Sequence, residues 1–283
     1  MIVQKEISFN EWESEIKSSL EYINAGIFGT VVDRKNNKIT FEIGKDGLVM
    51  AVISLRHGLP VKGRAAIILD DLGYRKDIVE KYLKLKVPLT YAILPHAPFS
   101  KYLAKKIKES GYDTLLHLPC EPESYPAINP GTGAIFVSMD AIQIKKTIMD
   151  DLLTVPQVIG ASNHEGSKAM SDEKTVREIL EVLKSLNLVF IDSKTTPKSK
   201  VKGVAKEINI KTIGNDVFLD NKNDYEYIAG QMEKLIAIAQ KSRRVIAIGH
   251  IHNKETFAVI SDYIPKLKKA GIELVGVSEL MRN

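Results

Sequence analysis

Arg64-Ala65-Ala66-Ile67-Ile68-Leu69-Asp70-Asp71-Leu72-Gly73 is the segment from which the architecture can be read. Ala65 to Leu69 is apolar without alternation, the pattern of a parallel strand buried on both faces. It stops abruptly at two acidic residues and a glycine. Working outward, the same unit recurs. Further strand-like runs begin at Leu89, Asp113, Val158, Leu188, Lys211, Val245 and Glu273. Helical patterns such as Lys76 to Leu85, Phe99 to Ser110, Ala141 to Leu153, Asp172 to Leu186 and Tyr225 to Lys241 separate most of them. About seven or eight such units in ~220 residues predict an α/β fold, a (β/α) barrel that is distorted or incomplete. An open doubly wound sheet is the alternative. No Gly-x-Gly-x-x-Gly follows the first strand, which argues against a dinucleotide site.

The residues before this segment read differently. A helical pattern opens near Phe9 and places Trp12, Ile16, Leu20 and Ile23 on one face. Three short alternating runs follow, with turn signals at Asn36-Asn37 and Lys45-Asp46-Gly47. Gly58-Leu59-Pro60 reads as a linker. The expected division is a small helix-plus-hairpin α+β domain at 1–62 and the barrel at 63–283.

Composition narrows the function classes. Lys and Arg number 40 against 35 Asp and Glu, and the surplus of +5 is dispersed, so no nucleic-acid partner is expected. The single cysteine, Cys120, excludes an intramolecular disulfide and a cysteine zinc cluster, and reads as a buried, inert thiol. No run is long enough for a transmembrane helix, and Met1 to Asn10 lacks the apolar core of a signal peptide.

Active sites of parallel α/β folds lie at the carboxyl ends of the strands. Five of the six histidines, all but His57, fall there or just beyond: His96, His117, His164, His250 and His252. Asp70, Asp71 and Asp192 end strands too. Adjacent acidic residues after a buried strand are costly unless solvated, paired or metal-bound, although an Asp could instead cap the next helix. Mixed Asp and His ligands suit Zn²⁺ or another divalent first-row metal, which would acidify a water and polarise a carbonyl. The Pro- and Gly-rich segment Pro119 to Ser138 reads as a lid or substrate-binding loop.

Six ordered motifs carry a resemblance. Ile67-Ile68-Leu69-Asp70-Asp71-Leu72-Gly73, Leu116-His117-Leu118-Pro119-Cys120-Glu121-Pro122, Asn163-His164-Glu165-Gly166-Ser167, Phe190-Ile191-Asp192-Ser193, Val217-Phe218-Leu219-Asp220 and Ile248-Gly249-His250 together resemble the divergent polysaccharide deacetylases, relatives of the NodB-type carbohydrate esterases. The resemblance runs from about Arg64 to the C-terminus. It implies a distorted barrel that removes N- or O-acetyl groups from a glycan, with an extracytoplasmic setting. It also implies roles: Asp70 as general base, Asp71 and His117 as metal ligands, His250 as general acid, and Asp192 as the carboxylate orienting it. The family pattern has a second metal His four residues after the first, where this chain has Glu121. His164 on the next strand is the expected replacement, because Pro119 disfavours a helix that would bring Glu121 onto the face of His117. The family's Arg-x-Pro-Tyr segment is also missing, with Asn163 in its approximate place. Glu121, Asn163, His96 and His252 are candidates for substrate contact. The two departures leave a second expectation open, a catalytically silent glycan-binding or cell-envelope scaffold.

Overall fold

The computed structural model describes residues 8–33, 38–56 and 61–282. The Asn36-Asn37 turn, His57 and the Gly58-Leu59-Pro60 linker lie outside the described residues. The chain forms two compact units, 1–61 and 62–283.

In the first unit, helix α1 (Phe9–Glu21) starts at a capping box. The Ser8 hydroxyl accepts from the Glu11 N–H, and the Glu11 carboxylate accepts from the Ser8 N–H. Strands β1 (Gly26–Asp33), β2 (Lys38–Lys45) and β3 (Leu48–Arg56) form an antiparallel sheet in that order. Trp12 and Leu20 are buried in one core with Ile39, Phe41, Ile43 and Leu55. Ile23 does not join the predicted apolar face. The helix has ended before it, and its side chain is exposed.

The second unit alternates strands and helices: β4 (Gly63–Leu72), α2 (Lys76–Leu83), β5 (Thr90–Ile93), α3 (Ser100–Glu109), β6 (Asp113–Cys120), α4 (Ala141–Thr154), β7 (Gly160–Glu165), α5 (Glu173–Ser185), β8 (Val189–Asp192), α6 (Val201–Ile208), β9 (Thr212–Gly214), β10 (Val217–Phe218), α7 (Tyr225–Ser242), β11 (Arg244–His250), α8 (Lys254–Lys269), β12 (Ile272–Leu274) and α9 (Val277–Leu280). The strand order is β10-β11-β4-β5-β6-β7-β8-β9, with every pair parallel and β12 beside the start of β4. The two ends of this order are neighbours in sequence. Between β9 and β10 lie only Asn215 and Asp216. The Asn215 N–H donates to the Asp192 carbonyl next to β9, and the Asp216 N–H donates to Ile246 in β11. One extended segment therefore changes partners halfway and spans the seam. The sheet is curled into a distorted barrel, and the open doubly wound alternative does not apply. Of the predicted last strand, Ile272 to Leu274 pairs with β4, while Val277 begins α9.

Two apolar layers fix which way each strand residue faces. Ala66, Ile68, Ala92, Leu115, Ile191, Ile246 and Ile248 pack together inside the curl. Ala65, Ile67, Leu69, Leu116, Leu118, Phe190, Val245 and Ala247 pack outward under the helices. Strand side chains alternate with period two, so these layers predict the direction of each residue beyond them.

Candidate active site

That alternation aims the site. Continuing the inward rows leads from Ile68 to Asp70, from Leu115 to His117, from Ile248 to His250 and from Phe218 to Asp220. Asp71 should then face outward. It turns inward because the backbone there is left-handed, with φ 66°, and the β4–β5 register shifts between Leu69 and Leu72. This bulge places two consecutive carboxylates on one face. The helix-cap reading of the Asp pair does not apply, since Arg75 precedes α2 and makes no side-chain cap.

Asp71, His117 and His164 converge. His117 Nε2 lies 3.3 Å and His164 Nδ1 3.0 Å from the same oxygen, Asp71 Oδ1. That oxygen is buried and has no hydrogen-bond partner. Each of the three residues offers one ligand atom within 4.8 Å of the others. Ligands at zinc bond lengths of about 2.0–2.1 Å in a tetrahedron stand about 3.3 Å apart. The donor set and its spacing fit a small divalent ion. Ser162, directly across the ladder from His117, places its hydroxyl 3.0 Å from His117 Nδ1 and so leaves Nε2 for the cluster. His252 Nδ1 approaches the other Asp71 oxygen at 3.3 Å, and its ring is mostly exposed. Burial alone would raise the Asp71 carboxyl. The surrounding imidazoles outweigh it and hold Asp71 well below the usual carboxylate range.

Asp70 sits beside this cluster, 3.6 Å from His117 Nε2 through Oδ2, with Oδ1 buried and without a hydrogen-bond partner. Its burial raises the carboxyl above its ordinary value. Across the β4–β11 ladder its register partner is His250. His250 Nδ1 meets Asp220 Oδ1 at 2.8 Å. The other Asp220 oxygen accepts from the His250 N–H at 2.8 Å and the Thr256 hydroxyl at 2.6 Å. Burial would lower the His250 imidazole, but Asp220 prevails and lifts it to about 9. With Nδ1 engaged, Nε2 is the nitrogen left free. Asp70, Asp71, His117, His164, His250 and Asp220 all line one cavity of about 410 Å³.

Three expected site residues lie elsewhere. Asp192 does not touch His250. Ile191 faces inward, so Asp192 faces outward, where its carboxylate accepts from the Lys194 N–H and the Ser199 hydroxyl. Asp220 stands beside the His250 ring in the place expected for Asp192, and the inward Phe218 two residues earlier is the signal that could have found it. Glu121 is a clasp: its oxygens accept from the Val137 N–H and from Lys168. His96 does not line this cavity. Its ring bonds Asp151, a buried residue of α4. Asn163 does line the cavity, but its amide is committed, donating to the Glu165 carbonyl and accepting from the Ser193 N–H. His252 stands at the rim. Cys120 is buried, and burial pushes its thiol up. No helix among the described residues is long and apolar enough to cross a membrane.

An all-parallel barrel that gathers carboxylates and imidazoles at its strand ends places the chain among the deacetylase-like α/β barrels. Comparison with known families gives the narrower answer. The model of the divergent polysaccharide deacetylase family matches residues 67–281, and the chain belongs to that family. An uncharacterized protein of Haemophilus influenzae is 31% identical over 222 residues, which are 78% of each chain. The uncharacterized protein YibQ of Escherichia coli is 30% identical over 241 residues, 85% of this chain and 74% of that one. Among solved structures, an uncharacterized protein of Agrobacterium tumefaciens superposes with a TM-score of 0.73 at 24% identity, covering 77% of this chain and 89% of that one. That likeness supports the fold.

Proposed function

We propose that the protein is a metal-dependent deacetylase that removes N- or O-acetyl groups from a glycan. The observation that carries this reading is the juxtaposition, in one cavity, of the Asp71-His117-His164 cluster, the buried Asp70 and the Asp220-oriented His250. Asp71, His117 and His164 would hold the ion, best matched by Zn²⁺ for this donor set. When bound, such an ion supplies Lewis-acid polarisation of the acetyl carbonyl and a more acidic water.

This chain's own residues supply the proton transfers. Asp70 accepts a proton from the attacking water at its carboxylate. Its burial makes it a stronger base than an exposed aspartate, closer to what neutral pH requires. His250 carries a proton at Nε2 and delivers it to the departing sugar nitrogen or oxygen. Asp220 fixes that ring by its hydrogen bond to Nδ1 and keeps it charged. Ser162 fixes the ring of His117 in the same manner.

The family pattern's missing second histidine is compensated here. Glu121 is engaged with Lys168, and His164 arrives from the adjacent strand to make the third member of the cluster. Acetate release from acetylated chitooligosaccharides and peptidoglycan fragments, measured with and without added Zn²⁺, tests the reading. Release that needs the metal and is lost in Asp70→Asn supports it. No release and no Zn²⁺ affinity would leave the silent glycan-binding scaffold instead.

A further inference from the structure

A second cavity, of about 420 Å³, adjoins the first and shares Asp71, His164 and His252 with it. Its walls come from two places. Tyr74, Leu94 and Pro95 come from the loops that follow β4 and β5, and Asn129 to Thr132 from the long segment that follows β6. Its lining mixes apolar groups, Ile78, Leu94, Pro95 and Ile251, with the polar groups of Tyr74, Asn129 and Thr132, a mixture that suits a sugar ring with apolar faces and polar edges.

Both walls lead down to a single point. His96, the residue after Pro95, is held in the left-handed region at φ 57°. Its N–H donates to the Thr154 hydroxyl at 3.1 Å, and its Nε2 lies 2.8 Å from Asp151 Oδ1. Asp151 is fully buried, and its other oxygen has no hydrogen-bond partner. Gly133, next to Thr132, has φ 82°, and its backbone packs so closely that a Cβ there would collide with the Asp151 carboxylate. A strained residue, a half-satisfied buried carboxylate and a glycine that nothing larger could replace are each unfavourable for stability alone. They persist where the surroundings over-determine them, which is characteristic of functional walls.

We propose that His96 and Asp151 form a clamp that holds Pro95 and the 129–133 segment as the fixed walls of the second cavity, where the sugar adjoining the acetylated one binds. They are positioning residues and touch neither the reacting atoms nor the metal cluster. The proposal rests on the glycan-deacetylase reading for the identity of the occupant, and the test separates the two.

Hydrogen–deuterium exchange is followed in the full chain, with Zn²⁺ affinity measured in parallel. His96→Ala removes the hydrogen bond to a buried carboxyl and should speed exchange across 129–135 by about tenfold or more, with Zn²⁺ affinity unchanged. Asp151→Asn, which keeps the shape and a hydrogen bond to His96, should retain protection. With acetylated chitooligosaccharides, His96→Ala should raise KM several-fold and leave kcat within about twofold, the signature of lost uniform binding. Unchanged exchange at 129–135 in His96→Ala overturns the clamp. So does a fall in kcat and Zn²⁺ affinity that matches the rise in KM, because the pair would then act on the metal cluster. If the wild type releases no acetate, the proposed reaction fails. Exchange together with chitooligosaccharide affinity by calorimetry then decides the clamp: weaker binding in His96→Ala supports it, and equal binding overturns it.

Discussion

The barrel holds two histidine–aspartate pairs of the same length. His250 meets Asp220 at 2.8 Å, and His96 meets Asp151 at 2.8 Å; both carboxylates are fully buried. Their surroundings differ. Asp220 accepts three hydrogen bonds, from the His250 ring, the His250 N–H and Thr256. These outweigh burial and hold its carboxyl below the ordinary range. Asp151 has the His96 ring and an oxygen with no partner, and burial pushes its carboxyl up to about 8. The number of donors supplied to a buried carboxylate decides whether it stays charged. The charged one can keep an imidazole protonated for chemistry. The neutral-leaning one, on α4, packs against the His96 ring and the Gly133 backbone.

Several variants would break or sharpen this contrast. The largest effect is expected at the charged pair: Asp220→Asn should lower kcat for acetate release by about 10²- to 10⁴-fold, the usual worth of a positioned acid. The same substitution in a pH profile should shift the alkaline limb, set by His250 at about 9, toward the ordinary imidazole range. A profile that does not move would remove Asp220 from the mechanism. Next in size, Ser162→Ala should weaken Zn²⁺ binding by about 10- to 100-fold through the loosened His117 ring, as titration against a chelator would read.

Stability should follow pH differently for the two pairs. The folded pKa of His250 is raised from 6.5 to about 9, so its contribution is complete below about 6.5 and disappears as pH rises through about 9. Urea unfolding of the metal-free protein across this window should show that loss in the wild type and not in Asp220→Asn. Asp151 is likewise raised, from 3.8 to about 8, so the folded state strains to release its proton as pH climbs through about 8. Asp151→Asn should therefore be more stable than wild type above that pH and lose the advantage toward pH 4. The smallest effect on activity is expected where the carboxylates are clasps. Asp192→Asn and Glu121→Gln should leave acetate release within about twofold while reducing unfolding free energy by about 1–2 kcal/mol.

Much of this was legible in the sequence because strand alternation is a local rule. Unbroken apolar runs give parallel strands, and polar residues at their ends mark the mouth. Asp70, Asp71, His117, His164, His250 and His252 do gather around one cavity. Asp192 and Asp220 both follow strands, but only period-two counting from Ile191 and Phe218 tells them apart. That counting requires knowing which face is interior. The inward turn of Asp71 depends on a left-handed residue inside a strand, which an aspartate does not advertise. His96 ends a strand like the others, yet a helix more than fifty residues later claims its ring. Contacts of that kind are set by packing between elements, and no local pattern encodes them.

The segment from Thr212 to Phe218 that changes partners in mid-course has a mechanical consequence. Its first part pairs with β8 and its second with β11, and the change of partner falls at Asn215 and Asp216. Asp220 and His250 stand together on the β11 side of that change. Asp70, Asp71, His117 and His164 follow on β4, β6 and β7, along one unbroken run of paired strands. Ser193 and Thr195, which complete the cavity wall beyond β8, are tied to the end of β7 by hydrogen bonds to Asn163 and Glu165. The Asp220–His250 pair and the Asp71-His117-His164 cluster are therefore held in one register by strand pairing that does not pass through the change of partner.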